Sequence, residues 1–193
     1  RDCLLSRGLG DVYKRQGTHD ATIEALQDLL QHATMPMVLD ADALNCISIR
    51  PALLTYVPAK TILTPHVGEF DRMFGEHHDD EARLRTAIEM SRQYNIIIVL
   101  KGHYTAVVSP TGRVNFNMTG NAGMATAGAG DVLTGIITSF LSQGYEPIYA
   151  AMLGVYVHGR AGDMAEAEFG QYGMTASDII GKVGLAIREI LES

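Results

Sequence analysis

Apolar residues recur every three to four positions through residues 20–33, DATIEALQDLLQHA, which puts Ile23, Leu26, Leu30 and Ala33 on one face. That spacing predicts an amphipathic helix with Asp20 as its cap. The short apolar run 37–39 follows Pro36 and stops at Asp40-Ala41-Asp42, as a buried parallel strand does when it delivers polar groups at its C-terminal end. Residues 60–63 repeat this pattern and stop at Thr64-Pro65, with a helix expected over 68–74. A second amphipathic helix is expected over 81–94, then a β-branched strand over 96–100. Residues 104–109 and 113–117, separated by Pro110-Thr111-Gly112, predict a β-hairpin. A glycine-rich stretch, 119–130, then opens a helix over 131–141, and two longer helices are expected over 147–168 and 176–191. Strand and helix alternate, so the expected fold class is α/β: a layered, mostly parallel sheet covered by helices on both faces.

Residues 1–16, RDCLLSRGLGDVYKRQ, show neither periodicity. Within them DVYKRQ resembles the in-frame translation of a transposon end, so 1–16 is expected to be a non-native or disordered segment. Residues 17–193 are then one domain. With 47% hydrophobic and 19% charged residues in 193, the chain can bury one sizeable core. A formal charge of −7 and a pI near 5.4 argue against nucleic acid as a partner, because phosphate-backbone contact needs a basic face. Apolar runs such as 96–100 fall far short of the roughly 20 residues of a membrane span. Cys3 and Cys46 form neither a disulfide framework nor a metal spacing, so the expected setting is the cytoplasm and the expected partner a small metabolite.

The segment 119–135, TGNAGMATAGAGDVLTG, carries the sharpest chemistry. Its five glycines let backbone approach a ligand closely, and Gly128, Ala129 and Gly130 lead into a helix whose unpaired N–H groups and positive dipole end favour phosphate oxygens. Asp131 places a carboxylate there that can take a proton from a hydroxyl, although an aspartate in a first helical turn is also an ordinary stabilising charge. Lys101 and Gly102 follow the best-defined strand, where glycine permits close approach and lysine offsets phosphate charge. Asp40, Asp42 and Asn45 suit either hydrated magnesium or local capping, and the sequence leaves that choice open.

GAGD opening a helix resembles the anion-hole motif of the ribokinase-like family, with Asp131 at the catalytic-base position. TPHVGEF at 64–70, VLKG at 99–102, the whole 119–135 string and LGVYVHGRAGD at 153–163 together resemble the ADP- or ATP-dependent NAD(P)H-hydrate dehydratase branch. Related vitamin kinases show Asn where this chain has His66. The resemblance implies dehydration of hydrated NADH or NADPH by phosphorylation and elimination, with ADP or ATP as donor and Mg2+ as cofactor. It further implies that His66, Asp131 and Gly17 bind substrate, that Lys101, Gly102, His103, Tyr104, Thr105 and Gly130 bind nucleotide, and that Glu69 holds magnesium through water. A homotetramer is implied as well.

Two other readings remain open: a ribokinase-like vitamin or sugar kinase, and a nucleotide-binding module without turnover. His158, Gly159 and Gly162 read as helix packing, the stretch 77–80 as a solvated loop, and the scattered methionines as core. Family members carry further strand–helix units and a Gly-Pro-Gly-Leu-Gly turn before the point matching Gly17. The fold is therefore expected to be incomplete at its N-terminus, and the 193-residue chain to be a poor enzyme on its own.

Overall fold

The computed structural model describes residues 18–192. Five strands form one sheet in chain order: β1 (Val38–Leu39), β2 (Ile62–Leu63), β3 (Ile97–Leu100), β4 (Ala106–Val108) and β5 (Val114–Phe116). The first three run parallel, and β4 and β5 complete the sheet as the expected antiparallel hairpin. The Gly112 N–H closes the hairpin turn on the Ser109 carbonyl at 2.8 Å, with Gly112 at φ 83°.

Side chains alternate across a strand, so β1 to β4 send apolar residues to both faces. Leu39, Leu63, Ile98, Leu100, Ala106 and Val108 face a core shared with the helices α1 (Asp20–His32), α2 (Asp42–Ile49), α3 (Val67–Phe74) and α4 (Asp80–Tyr94). Val38, Ile62, Ile97, Val99 and Val107 face the other way, against Leu133 and Ile137 of α5 (Ala129–Ser142) and Ala151 and Val155 of α6 (Pro147–Phe169). The last helix, α7 (Ala176–Glu192), packs on α5 and α6 through Ile179 and Ala186 and forms a third apolar cluster. Strands buried on both faces explain why their sequences read as short apolar runs. Two buried threonines flank β2. Thr61 Oγ1 accepts the Met37 N–H at 3.2 Å, and the Thr64 hydroxyl donates to the Leu39 carbonyl at 3.3 Å.

The α/β class with helices on both faces is as expected, and three local expectations are corrected. Asp20 does not cap α1; His19 holds that position without a side-chain hydrogen bond, and Asp20 lies in the first turn, where its charge still suits the helix dipole. Residues 42–49 form a helix that the sequence reading did not assign, so Asp42 opens a helix where only the polar end of a strand, 40–42, was read. The stretch 77–80 is solvated as read at His78, Asp79 and Asp80, but the His77 side chain is held between Asp71 (2.8 Å) and Thr86 (2.8 Å), while Asp79 caps α4 at Ala82 and Asp80 pairs with Arg83. Arg83, 6% exposed, also holds Asp71 at 3.0 Å, and its guanidinium pulls the Asp71 carboxyl below the usual range. Among the described residues no helix is long and apolar enough to cross a membrane.

Candidate functional site

Parallel strands deliver their C-terminal residues to one edge of the sheet, and there β2 and β3 are joined by one further bridge, between His66 and Lys101. His66 is also the cap of α3. Its Nδ1 accepts the N–H groups of Gly68 at 3.0 Å and Glu69 at 3.2 Å, while Glu69 Oε2 accepts the His66 N–H at 2.9 Å. This reciprocal capping box fixes both side chains. A ring nitrogen that accepts two N–H groups carries no proton, so in the neutral ring the proton sits on Nε2, 3.5 Å from Glu69 Oε1.

Lys101 reaches from the end of β3 towards two carboxylates. Its ammonium donates to Asp40 Oδ1 at 3.0 Å and lies 3.9 Å from Glu69 Oε2. The other Asp40 oxygen accepts the Thr134 hydroxyl at 2.8 Å, which ties the end of β1 to α5. Asp42 and Asn45 face elsewhere: Asn45 Nδ2 donates to Asp42 at 3.2 Å, and Arg72 donates to Asn45 at 3.0 Å. The three groups weighed for magnesium are therefore not gathered, and Asp42 and Asn45 do not cap α2 through side-chain bonds either. Among the described residues no group of three His, Cys, Asp or Glu side chains is placed to hold a metal ion.

The start of α5 lies beside this cluster. Gly128, its cap, has φ 89° and ψ −13°, a left-handed turn that glycine adopts without strain. The Ala129 N–H is taken by the Thr126 carbonyl at 3.2 Å, so its expected place as an anion-hole donor is corrected. The next two N–H groups, those of Gly130 and Asp131, remain without a partner among the described residues, as first-turn groups of a helix do. A Cβ on Gly130 would lie 3.6 Å from the Lys101 ammonium, so this backbone and that charge address the same space.

A cavity of about 530 Å3 opens here, walled by His66, Lys101, Gly102, His103, Thr105, Ala129 and Gly130. Of the residues read from sequence, Tyr104, Glu69 and Asp131 stand outside this wall; Tyr104 is half exposed and edge-on to the His103 ring at 4.4 Å. Asp131 is exposed in the first turn of α5 and makes no side-chain hydrogen bond among the described residues. Gly128 precedes the wall, and Gly17 lies outside the described residues.

The other half of the wall comes largely from the glycine-rich segment read as approaching a ligand, together with Asn117, which sequence reasoning missed. Asn117, Thr119, Gly120 and Asn121 line it, pinned by α6: Asp163 accepts from the Gly120 N–H at 3.1 Å and from Asn121 Nδ2 at 3.2 Å. Thr119 donates to the Tyr156 carbonyl at 3.1 Å. His158, read as packing, lines the cavity too, with its Nε2 sealed and without a partner among the described residues. Burial pushes its imidazole down to about 4, helped by the Lys101 charge and opposed by the Ala129 backbone, so the ring is neutral at pH 7.

The family model for NAD(P)H-hydrate dehydratase matches residues 7–184. The chain belongs to the NAD(P)H-hydrate dehydratase family. That match includes residues 7–16 of the segment set apart in the sequence. The chain is 42% identical over 174 residues to the bifunctional NAD(P)H-hydrate repair enzyme Nnr of Moorella thermoacetica, a match covering 89% of this chain and 33% of the relative. It is 38% identical over 177 residues to the ADP-dependent (S)-NAD(P)H-hydrate dehydratase of Neisseria meningitidis, covering 89% and 59%. The crystal structure of the ADP/ATP-dependent NAD(P)H-hydrate dehydratase of Bacillus subtilis, co-crystallised with ATP/Mg2+, superposes with a TM-score of 0.78 at 32% identity, covering 89% and 61%. Ribokinase-like structures share the layered fold. The chain thus spans about a third of the bifunctional relative's length and under two thirds of the single-function dehydratase.

Proposed function

We propose that this dehydratase-family chain carries the nucleotide side, and part of the substrate side, of an ADP- or ATP-dependent NAD(P)H-hydrate dehydratase. One observation carries the reading: the Lys101 ammonium and the unpaired N–H groups opening α5 face the same space, in a cavity whose wall also holds His66. A cation and a helix start together favour a phosphoryl group, and His66 Nε2–H offers a donor to the hydrated nicotinamide.

In the proposed reaction the C6 hydroxyl of hydrated NADH or NADPH attacks the terminal phosphoryl group of the nucleotide, and the bridging P–O bond breaks to release AMP from ADP or ADP from ATP. Asp131 takes the hydroxyl proton, while the Gly130 and Asp131 N–H groups and Lys101 stabilise the charge on the transferred group. The neighbouring ring carbon then gives up a proton, and the phosphate leaves with the electron pair of the C6–O bond, restoring the ring double bond. Lys101, Gly102, His103 and Thr105 hold the nucleotide, with Tyr104 at the outer margin. The oxygen donors Glu69 and Asp40 suit magnesium, which takes one or two carboxylates besides substrate phosphates and keeps its waters; Glu69 would hold it through water. When bound, the ion neutralises phosphate charge. We place the protein in the cytoplasm, as a homotetramer.

The test is to mix hydrated NADH, ADP or ATP and magnesium with the chain, and with a version extended before Gly17 by the preceding units of the Neisseria relative. Recovery of NADH absorbance with equimolar phosphate release from the extended version is expected. Accumulation of a phosphorylated alcohol would instead make the protein a kinase, and nucleotide binding without turnover in the extended version would make it a binding module.

A further inference from the structure

Lysine is a flexible point charge whose side chain loses rotamer freedom when fixed, so an ammonium that must meet a phosphate benefits from being held beforehand. Lys101 stands between two carboxylates of different reach, Asp40 at 3.0 Å and Glu69 at 3.9 Å. Pairing with Asp40 leaves the ammonium 3.6 Å from the Cβ position of Gly130. Glu69 is already bound into the capping box with His66, so its carboxylate is fixed by α3. Asp40 has no such local partner. Its second oxygen is held by the Thr134 hydroxyl alone among the described residues, at 2.8 Å, across 94 residues of chain. Thr134 lies on α5 three residues after Asp131, so the helix that offers its N–H groups to the cavity also orients the carboxylate that holds the cation.

We propose that Thr134 and Asp40 are positioning residues: Thr134 orients Asp40, and Asp40 sets the Lys101 ammonium against the start of α5, ready for an anionic phosphate. The assignment of that phosphate to an adenine nucleotide rests on the function proposed above. The placement of Lys101 does not.

Thr134→Val removes the hydroxyl at nearly constant shape. Two measurements on the 193-residue chain separate the claims. The first needs no ligand: the rate at which acetic anhydride modifies Lys101, read by peptide mass spectrometry, with exposed Lys60 as control. Thr134→Val is expected to speed Lys101 modification several-fold and leave Lys60 unchanged, while Thr134→Ser stays at the parent rate. The second is ADP affinity with magnesium, by titration calorimetry. Thr134→Val should weaken it roughly tenfold, the scale of one hydrogen bond to a charged group, and Thr134→Ser should restore it. In a Lys101→Met background Thr134→Val should add nothing, because the hydroxyl acts through the ammonium.

Lys101 modification at the parent rate in Thr134→Val would overturn the proposal, as would an equal loss of ADP affinity with and without Lys101. Should Thr134→Val not fold, Asp40→Asn supplies the same contrast: faster Lys101 modification supports the proposal, and an unchanged rate overturns it. A parent chain that shows the expected modification pattern but binds no ADP would sink the nucleotide reading and leave the positioning intact.

Discussion

Acidification should weaken this fold through one histidine. His158 has its imidazole pushed down to about 4, chiefly because burial disfavours the charged ring, and its Nε2 is sealed without a partner among the described residues. Unfolding returns it to its ordinary value of about 6.5. Between those values the unfolded chain binds a proton that the folded chain refuses, so stability is full above about pH 6.5 and falls as the pH drops towards 4. The difference of about 2.5 units corresponds to about 3 kcal/mol once pH 4 is reached, and to about 2 kcal/mol by pH 5. His158→Gln does not titrate, which isolates this contribution from the carboxylates. Urea unfolding of both chains at pH 7, 6, 5 and 4 gives the comparison, and the parent should lose about 2 kcal/mol more than the variant between pH 7 and 5. Parallel pH profiles would show that the ring is solvated or charged in the folded chain, and the account of the cavity wall around it would fall.

Three further outcomes are expected. In the version extended before Gly17, Asp131→Asn should keep nucleotide binding and lose roughly 10²-fold or more in turnover, the scale of a positioned acid–base group; a loss of only a few-fold removes Asp131 from the base role. His66→Ala should cost about 1 kcal/mol by removing the cap of α3, and should weaken binding of the hydrated dinucleotide but not of ADP. His66→Asn, a good cap without the Nε2 donor, should recover the stability and not the substrate affinity, as calorimetry of each ligand will show. Arg83→Ala should lower stability by roughly 2 kcal/mol, because it removes the charge-assisted hydrogen bonds to the half-buried Asp71 carboxylate and leaves it only His77 among the described residues, and thermal unfolding will reveal whether the loss is that large.

Sequence alone carried much of this fold because its signals are local. The helical period of 81–94 and the β-branched run 96–100 name their elements without help from the rest of the chain, and the observed helix and strand fall within a residue of those bounds. The helix at 42–49 escaped because Asp40-Ala41-Asp42 reads as a turn, and Ala41 does take a positive φ of 49° there. Asp42 opens the helix, where its charge suits the dipole, and its role as a turn residue was only apparent. At the site, His66, Lys101 and Gly130 were found because strand ends and glycine-rich helix starts are places where ligands bind. What sequence does not show is pairing across the chain. Asp40, Lys101 and Thr134 are 61 and 94 residues from one another's partner, and no spacing rule links them. Asp163 gave no sign of its hold on Gly120 and Asn121 for the same reason. His158 and Gly159, read as helix packing, are packed as expected and border the cavity as well: the His158 ring is buried, and a Cβ on Gly159 would meet the Thr119 backbone at 2.7 Å.

The two threonines beside β2 bear on how the site comes to be aligned at all. Ile62 and Leu63 are both apolar and both fully buried, so sliding β2 by one residue would exchange one greasy side chain for another at almost no cost in transfer energy. Hydrophobicity supplies adhesion there without supplying a ruler. The ruler is polar. In a slipped pairing the Thr61 and Thr64 hydroxyls would lose Met37 and Leu39 and sit unmatched in a dry interior, at a cost of about 1–3 kcal/mol each. A slip would also carry His66 one step past Lys101 and pull the two walls of the cavity out of alignment. Two hydroxyls that touch no ligand thus act as a vernier between neighbouring strands, and the chemistry at the sheet's edge inherits its precision from them.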